Sequence, residues 1–262
     1  MNHLKIICVS LILCLAFACS QDTIQFEERL RLQLETAQEG DVIEIPEGIF
    51  RFKRSLVMNT DGVTIVGQGM DKSILSFSGQ IAGAEGLSVN ASNFTIEDIA
   101  IEDTIGDALK VNEGDNIVIR RVRTEWTRGP NVKNGAYGIY PVQTTNLLVE
   151  ESIAIAASDA GIYVGQSDNV IVRNNRAEFN VAGIEIENSR HVLVEGNLAK
   201  NNTGGILVFI TPGLPIKSSY DAIIRRNFVL DNNTPNFGIP GSLVSQIPAG
   251  SGIIVMSGDE VI

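Results

Sequence analysis

Apolar and polar residues follow a short pattern that occurs twice in succession within residues 158–202. Each copy contains a Gly-Ile-x-Val or Gly-Ile-x-Ile run, a polar turn, an apolar-x-Val run and an Asn at the next bend. The copies cover Ser158–Asn180 and Val181–Asn202, which gives a period of about 22 residues. Short β-like runs repeated at this spacing are typical of a β-solenoid, in which each coil packs on the next.

The same register extends in both directions from the two copies. The first run of each coil begins at an equivalent apolar residue: Leu87, Leu109, Ile139, Ile162, Ile184, Ile206 and Ile253. The second run repeats at Ile96, Ile119, Val149, Val172, Val194 and Ile224. These runs are too short and too rich in β-branched residues for a helical solenoid, which needs a 3.6-residue apolar period over ten or more positions.

This pattern resembles the right-handed parallel β-helix, the pectin-lyase-like fold, from Asp41 to the end of the sequence. The resemblance implies an all-β fold class, a right-handed parallel β-helix with about 22 residues per coil. We expect residues 19–262 to form a single domain. Segments containing Pro and Gly predict loops at 127–134, 211–218 and 234–251. Loops on a rigid scaffold are where function usually resides.

Two columns of residues that follow the second run have a structural interpretation. The residue after each second run alternates in charge from coil to coil: Glu97, Arg120, Glu150, Arg173, Glu195 and Arg225. Since stacked strands lie about 4.8 Å apart, each charge is expected between two opposite ones. Two positions further on, Asn175, Asn197 and Asn227 predict a ladder of stacked amides at the bend.

A targeting segment is predicted at residues 1–18. Lys5 precedes an apolar run that is too short to span a membrane. The motif Ala16-Phe17-Ala18-Cys19 resembles a bacterial lipobox, so we predict a lipoprotein signal peptide and lipidation at Cys19. The alternative is an ordinary signal peptide cleaved near Ala18. Either one predicts export, and the lipid anchor predicts a location in the cell envelope, on a bacterial membrane, facing the periplasm or exterior.

Residues 22–38 predict an amphipathic helix that caps the first coil. Asp22 and Gln25 resemble a capping box, and Phe26, Leu30 and Leu34 fall on one helical face. A solenoid end exposes unpaired strand edges and needs such a cover. The alternative is a membrane-surface helix, which the Glu-rich polar face disfavours.

The last coil begins at Gly252 and no capping segment follows it. We therefore expect that the sequence is truncated at its C-terminus. The alternative is that a partner, a second copy or a bent terminal loop covers this edge.

Composition narrows the classes of partner. The formal net charge is −11, with 20 Lys and Arg against 31 Asp and Glu, and we find no basic run. Nucleic-acid binding is therefore disfavoured, because it depends on neutralising phosphates. A polyuronate would also be repelled unless a cation bridged it. Cys8 and Cys14 leave with the signal peptide, so no mature disulfide is expected.

One outward face combines side chains that suit a sugar polymer. Strand alternation places Lys110, Tyr140, Tyr163, Glu185 and Glu187 on it, with Asp107 and Asp159 at its rim. We expect Tyr140, Tyr163, Asp107 and Asp159 to bind substrate, and Glu185, Glu187 and Lys110 to be the catalytic candidates if the protein is an enzyme. The alternative is that these are ordinary exposed strand residues.

Several features weaken an enzymatic interpretation of this face. The Asp-Pro-His-Asp motif of alginate C5-epimerases is absent, and His191 is the one His left in the mature chain, at a turn. No cofactor is predicted; calcium held by Asp107, Asp159, Glu185 and Glu187 is the alternative. Leu207, Phe209, Ile254 and Met256 make the upper end of the face apolar, which indicates cover by a loop or a partner.

The segments Asn134–Val142, Ser158–Gln166 and Val181–Ser189 resemble a group of exported bacterial β-helix-repeat lipoproteins. This group implies no specific activity, and its members often occur beside a second exported protein. Our hypothesis is that the protein is lipid-anchored and recognises an envelope or extracellular polysaccharide. If it is an enzyme, it also processes that polysaccharide. A polysaccharide lyase, an epimerase and a glycoside hydrolase all remain open. The alternative is a non-catalytic scaffold that docks another exported protein near Phe209 and Met256.

Overall fold

A computed structural model of the chain describes residues 25–262. The predicted signal peptide, the lipidation site Cys19 and the proposed capping residue Asp22 lie outside the described residues, so these remain predictions. Within the described part, one α-helix, α1, covers residues 25–36. No helix there is long and apolar enough to cross a membrane.

The described residues also contain 21 β-strands and one short 3-10 helix, Val244–Gln246. The strands are β1 (Val42–Glu44), β2 (Gly48–Arg51), β3 (Arg54–Met58), β4 (Thr64–Val66), β5 (Ser73–Ser76), β6 (Ala82–Val89), β7 (Thr95–Glu102), β8 (Leu109–Glu125), β9 (Tyr137–Glu150), β10 (Ile153–Ile155), β11 (Ala160–Gly165), β12 (Asp168–Arg173), β13 (Arg176–Glu178), β14 (Ala182–Glu187), β15 (Arg190–Glu195), β16 (Leu198–Lys200), β17 (Gly204–Phe209), β18 (Tyr220–Arg225), β19 (Phe228–Leu230), β20 (Ser251–Met256) and β21 (Asp259–Val261).

The strands stack in three columns, and every recorded pairing between the described strands is parallel. Face one contains β3, β6, the start of β8, the start of β9, β11, β14, β17 and β20. Face two contains β1, β4, β12, β15, β18 and β21 with parts of β7, β8 and β9. Face three contains β2, β5, β10, β13, β16 and β19 with the ends of β7 and β8.

The predicted register is confirmed along both repeated runs. On face one, Leu109 pairs with Leu87 on one side and Ile139 on the other, and the series continues to Ile253. On face two, the series from Ile96 to Ile224 is also in register. Each coil therefore places equivalent side chains directly above one another.

The interior of the coil is filled by inward-facing apolar side chains. Phe52, Phe77 and Phe94 occupy the first coils, where the rings of Phe52 and Phe77 stack with centroids 5.2 Å apart. Later coils are filled mainly by Ile, Val and Ala. Each fully buried Ile or Val side chain stabilises the fold by roughly 1.5–3 kcal/mol, so stacking alone supplies a large core.

The predicted charge column is confirmed around Glu150. Its Oε1 accepts from Nε of Arg120 at 2.6 Å, and its Oε2 accepts from Nε of Arg173 at 2.7 Å. Glu195 is the register partner of Arg173, but its carboxylate contacts Arg225 and Arg226, both at 3.1 Å. The alternating charges thus form local ion-pair groups along face two.

The predicted Asn ladder is also confirmed, and it lies inside the coil. Asn197 donates from its amide to the side-chain oxygen of Asn227 at 3.0 Å and accepts from the Asn175 backbone at 2.9 Å. A second ladder of Asn180, Asn202 and Asn232 has the same geometry at the next bend. These amides satisfy backbone groups that the turns would otherwise bury without partners.

Helix α1 covers the first coil as predicted. Phe26, Leu30 and Leu34 are buried in the main core, and the ring of Phe26 stacks on Phe50 with centroids 3.8 Å apart. Glu27 accepts from the backbone N–H of Lys53 at 3.1 Å. The helix therefore shields both the apolar end and part of the edge.

At the opposite end, β20 and β21 pair with earlier strands on one side. Ile253 and Val255 of β20 are 50% and 47% exposed. The three loops predicted from Pro and Gly are confirmed between strands, at residues 126–136, 210–219 and 231–250.

Candidate functional site

Two of these loops form a cleft of about 360 Å³ beside face one. Residues 210–219 follow β17, and residues 231–250 precede β20. The lining of the cleft includes Tyr137, Asp159, Glu185, Glu187, Phe209 and Leu243. Strands therefore supply the polar groups, while the loops supply much of the apolar wall.

Asp159 and Glu185 form an interacting pair of carboxyl groups in this lining. Glu185 projects outward from β14, yet the surrounding groups leave it only 3% exposed. Burial, together with the negative charge of neighbouring carboxylates, raises the pKa of Asp159 to about 7 and raises the pKa of Glu185 well above its ordinary value. With the pKa of Asp159 at about 7 and the pKa of Glu185 also raised, the pair retains a proton near neutral pH.

Glu187 lies two residues further along β14 and is held from both sides. Its carboxylate accepts hydrogen bonds from the hydroxyl of Tyr163 on β11 and from the hydroxyl of Thr211 on the loop. The loop is also fastened by Asn188, whose amide donates to Thr211 O at 3.0 Å and whose Oδ1 accepts from Thr211 N at 2.7 Å. The wall of the cleft is thus tied to the strand that carries its carboxyl groups.

Three tyrosine rings pack together next to the carboxyl groups. The centroids of Tyr137, Tyr140 and Tyr163 lie 4.4–4.9 Å from one another. Burial raises the pKa of Tyr140 to about 12 and also raises the pKa of Tyr137 and Tyr163, so all three hydroxyls stay protonated as donors. Tyr163 is only 4% exposed, which leaves Tyr137 and Tyr140 as the rings with surface for a ligand.

Lys110 and Asp107 lie on the other side of this tyrosine cluster. Lys110 Nζ lies 5.2 Å from the ring centroid of Tyr140 and 3.9 Å from Glu85. Asp107 accepts from the backbone N–H of Tyr137 at 3.2 Å. Burial raises the pKa of Asp107 to about 6, partly offset by that hydrogen bond and by Lys110.

The structure therefore brings the seven residues predicted from the sequence into one connected region, and their roles stay predictions. Sequence reasoning missed Tyr137. Strict alternation from Ile139 assigns Tyr137 to the interior, but Gly138 faces the core side chains of Thr124 and Ala154 instead. The break in alternation at Gly138 turns Tyr137 outward, and a Gly immediately before a repeated run is the signal that would have revealed it.

The apolar upper end of face one is covered by the chain itself. Val244 and Ile247 of the second loop are buried in one cluster with Leu207 and Phe209. The expectation of cover is confirmed, and the cover is a loop. Docking of another exported protein near Phe209 and Met256 stays a prediction; in that patch Phe209 is only 2% exposed, whereas Met256 is 38% exposed.

His191 lies on face two, away from the cleft. Its Nδ1 lies 2.6 Å from Asp168, and its ring packs edge-on against Tyr220 at 5.3 Å between centroids. Among residues 25–262, no group of three His, Cys, Asp or Glu side chains is arranged to hold a metal ion. The calcium alternative thus has no preformed site in that part of the chain.

A family model described as "Right handed beta helix region" matches residues 127–261, slightly more than half of the sequence. The chain belongs to this family. The predicted pectin-lyase-like fold is therefore confirmed, together with its right-handed coil. No curated protein sequence matches the chain.

Solved structures with the same fold include enzymes that act on polysaccharides. The A-module of mannuronan C-5 epimerase AlgE4 from Azotobacter vinelandii is 17% identical, with a TM-score of 0.54, over 85% of this chain and 67% of that one. An alginate lyase from Paenibacillus sp. is 13% identical, also with a TM-score of 0.54, over 88% of this chain and 92% of that one. At these identities the likeness shows the fold.

Proposed function

We propose that this right-handed β-helix protein binds a saccharide chain in the cleft beside face one. The observation that carries the proposal is the composition of the lining, where the ring of Tyr137 lies beside the carboxyl groups of Asp159, Glu185 and Glu187. Sugar hydroxyls donate to carboxyl oxygens, and the C–H face of a pyranose packs on an aromatic ring.

The size and shape of the cleft support a short saccharide segment. A volume of about 360 Å³ lies at the lower end of the range for small-molecule sites, which is roughly 300–1,000 Å³. The fold supports a polysaccharide ligand as well, since the epimerase and lyase with similar structures are named for mannuronan and alginate.

Recognition is better supported than glycoside hydrolysis. The two carboxyl groups of a glycosidase flank the scissile bond at about 5–5.5 Å or about 6.5–9.5 Å, depending on stereochemistry. Glu185 is only 3% exposed, so its carboxyl group does not stand free beside a bound sugar. Glu187 is engaged by Tyr163 and Thr211. This arrangement presents acceptors to a ligand, but it does not place two free carboxyl groups on either side of a glycosidic bond.

The location of the protein is part of the same proposal. The lipobox at Ala16-Phe17-Ala18-Cys19 supports export and lipid anchoring at Cys19. An anchored chain would hold the cleft near a bacterial membrane, where envelope and extracellular polysaccharides occur. The rival function, a scaffold for a second exported protein, is less favoured because the chain's own loop covers Phe209, one of the residues proposed for that contact.

Binding to a glycan array, followed by isothermal titration calorimetry of the best ligand, tests the proposal. We expect Tyr137→Ala to weaken binding at least tenfold, since it removes the ring surface of the cleft. Glu35→Gln, on the exposed side of α1, is the matched control and should bind like the wild type. Absence of saccharide binding by the wild type, or full binding by a folded Tyr137→Ala variant, would contradict the proposal.

A further inference from the structure

The cleft concentrates negative charge without a compensating cation in its own lining. Its lining includes the carboxyl groups of Asp159, Glu185 and Glu187, and no Lys or Arg. The nearby cation Lys110 is directed to Glu85, at 3.9 Å, and to the ring of Tyr140. An anionic ligand would therefore meet like charges in a poorly solvated site, where repulsion is strong.

Two acceptor atoms in this lining have no partner within the described residues. They are Oδ1 of Asp159 and Oε2 of Glu185, both of which are shielded from solvent. Glu185 is 3% exposed, so its unpaired oxygen lies in a nearly dry environment. A buried acceptor without a donor costs about 1–3 kcal/mol, and more when it is charged. A bound ligand with several donors would remove this cost.

The apolar wall of the cleft selects for a ligand with an apolar face. Phe209, Pro212, Leu243 and the ring of Tyr137 line it. A metal ion would leave this wall unused, and no group of three ligands preformed for a metal occurs in residues 25–262. A sugar ring with a positively charged substituent uses both walls: its C–H face packs on the rings, and its charged group meets the acids.

We propose that the cleft binds a saccharide that carries a free, protonated amino group, with the ammonium donating to Asp159 and Glu185. This inference rests on the proposed saccharide-binding function and names the class of ligand. An ammonium has three N–H donors, which is enough for the unpaired oxygens of Asp159 and Glu185 and for one further acceptor. Its positive charge also replaces the proton that the acidic pair otherwise retains.

Ligand binding is therefore coupled to proton release. Near neutral pH the free pair holds one proton, and an ammonium placed against it favours the doubly ionised form. An amide in place of the amine, as in an N-acetylated sugar, carries no charge and gives no such release. This difference separates an amino-sugar site from a general sugar site.

Isothermal titration calorimetry with four probes tests the inference. The probes are a β-1,4-linked glucosamine tetramer, its fully N-acetylated counterpart, tetragalacturonate and calcium chloride. At pH 6.5 we expect the glucosamine tetramer to bind at least tenfold more tightly than the other oligosaccharides. Titrations in two buffers of different ionisation enthalpy should show proton release for this probe alone.

Glu185→Gln is the decisive variant, because the amide keeps the shape of the side chain and removes its charge. We expect this variant to bind the glucosamine tetramer at least tenfold more weakly and to show no proton release on binding. Glu35→Gln should change neither the affinity nor the proton release. Melting curves of both variants establish that they are folded.

Three results would overturn the inference. Equal or tighter binding of the N-acetylated tetramer would leave the saccharide site intact but remove the amino-group requirement. If calcium chloride displaces the glucosamine tetramer at a calcium concentration below that of the tetramer, the acids would be assigned to a metal site. Failure of every oligosaccharide on the array and in the calorimeter would reject the proposed function and this inference together.

Discussion

Asp159 and Glu185 line one cleft and their carboxyl groups interact, although the two residues belong to neighbouring coils. Neither residue is unusual in the sequence, because Asp and Glu are common on solvent-facing strands. Their chemistry arises where Asp159 precedes β11, Glu185 projects from β14, and loops exclude water from both. The stacking of coils thus converts two ordinary acids into a proton-binding pair.

Replacement of Asp159 should change how stability depends on pH. The folded-state pKa of Asp159 is about 7, above its ordinary value, so the folded protein binds this proton more tightly than the unfolded chain does. The resulting stabilisation is complete below about pH 4 and is lost as the pH rises through about 7. Asn cannot ionise and avoids this loss.

We therefore expect the melting temperature of Asp159→Asn, relative to wild type, to increase from pH 5 to pH 8. The gain in unfolding free energy should be on the order of 2 kcal/mol, since each pKa unit corresponds to about 1.4 kcal/mol. Asp107, which titrates in the same range, is present in both proteins and cancels in the difference. A difference that stays constant over this range, or shrinks, would contradict the raised pKa of Asp159.

Glu150 should contribute to stability more than an exposed acid does. Its side chain is 7% exposed and binds Arg120 and Arg173 together. Glu150→Gln removes the carboxylate that Arg120 and Arg173 have in common, although Arg120 keeps Glu97 at 3.5 Å and both guanidinium groups are exposed enough to gain water. We expect a loss of about 1–2 kcal/mol in urea unfolding, smaller at 1 M NaCl than at 50 mM.

Glu151→Gln is the control for this measurement, because Glu151 is 52% exposed and lies 3.7 Å from Arg121. Its effect should stay within about 0.5 kcal/mol. If the two variants lose equal stability, the central position of Glu150 between two arginines has no energetic consequence.

The stacking register could be predicted from the sequence because it depends on a local period. Residues such as Leu109 and Val149 recur at fixed positions in each coil, and every inward position must be apolar for the coils to stack. The charge column and the Asn ladder follow from the same period, since a residue one coil away becomes a direct neighbour.

The cleft could be predicted only in part, because loops have no period. Strand alternation predicts that Glu185 and Glu187 lie on an exposed face. Nothing in their strand indicates that residues 210–219 and 231–250 fold beside them. The burial of Tyr163 and Phe209 follows from those loops. The outward direction of Tyr137 depends on Gly138, whose effect on strand alternation is a backbone property rather than a matter of hydrophobicity.

Gly183 should tolerate no side chain, because a Cβ there would lie 2.6 Å from Gly205 O and 2.8 Å from the Asn202 amide. Both neighbours belong to the rigid stack, so they cannot move without disturbing a ladder. We expect Gly183→Ala to lower the unfolding free energy by about 2–4 kcal/mol. Gly79→Ala, where a Cβ meets nothing within 4 Å, is the control. Equal stability of the two variants by urea unfolding would contradict this packing.

Asn188 should determine whether the wall of the cleft is ordered. It is fully buried, and its side chain bonds to the backbone of Thr211 and Ile216 on one loop. Asn188 also has a positive φ of 46°, which Gly accepts without strain, so Asn188→Gly removes the side chain and its hydrogen bonds without straining the backbone.

We expect Asn188→Gly to increase amide hydrogen exchange in residues 210–219 at least tenfold, because opening this loop no longer breaks three hydrogen bonds. Saccharide binding should weaken in parallel, since Thr211 would no longer be positioned against Glu187. Asn174→Gly is the matched control: Asn174 has a φ of 56°, is exposed, and lies outside the cleft lining. Unchanged exchange in Asn188→Gly would show that the loop is held by its apolar contacts, and Asn188 would then have no role in shaping the cleft.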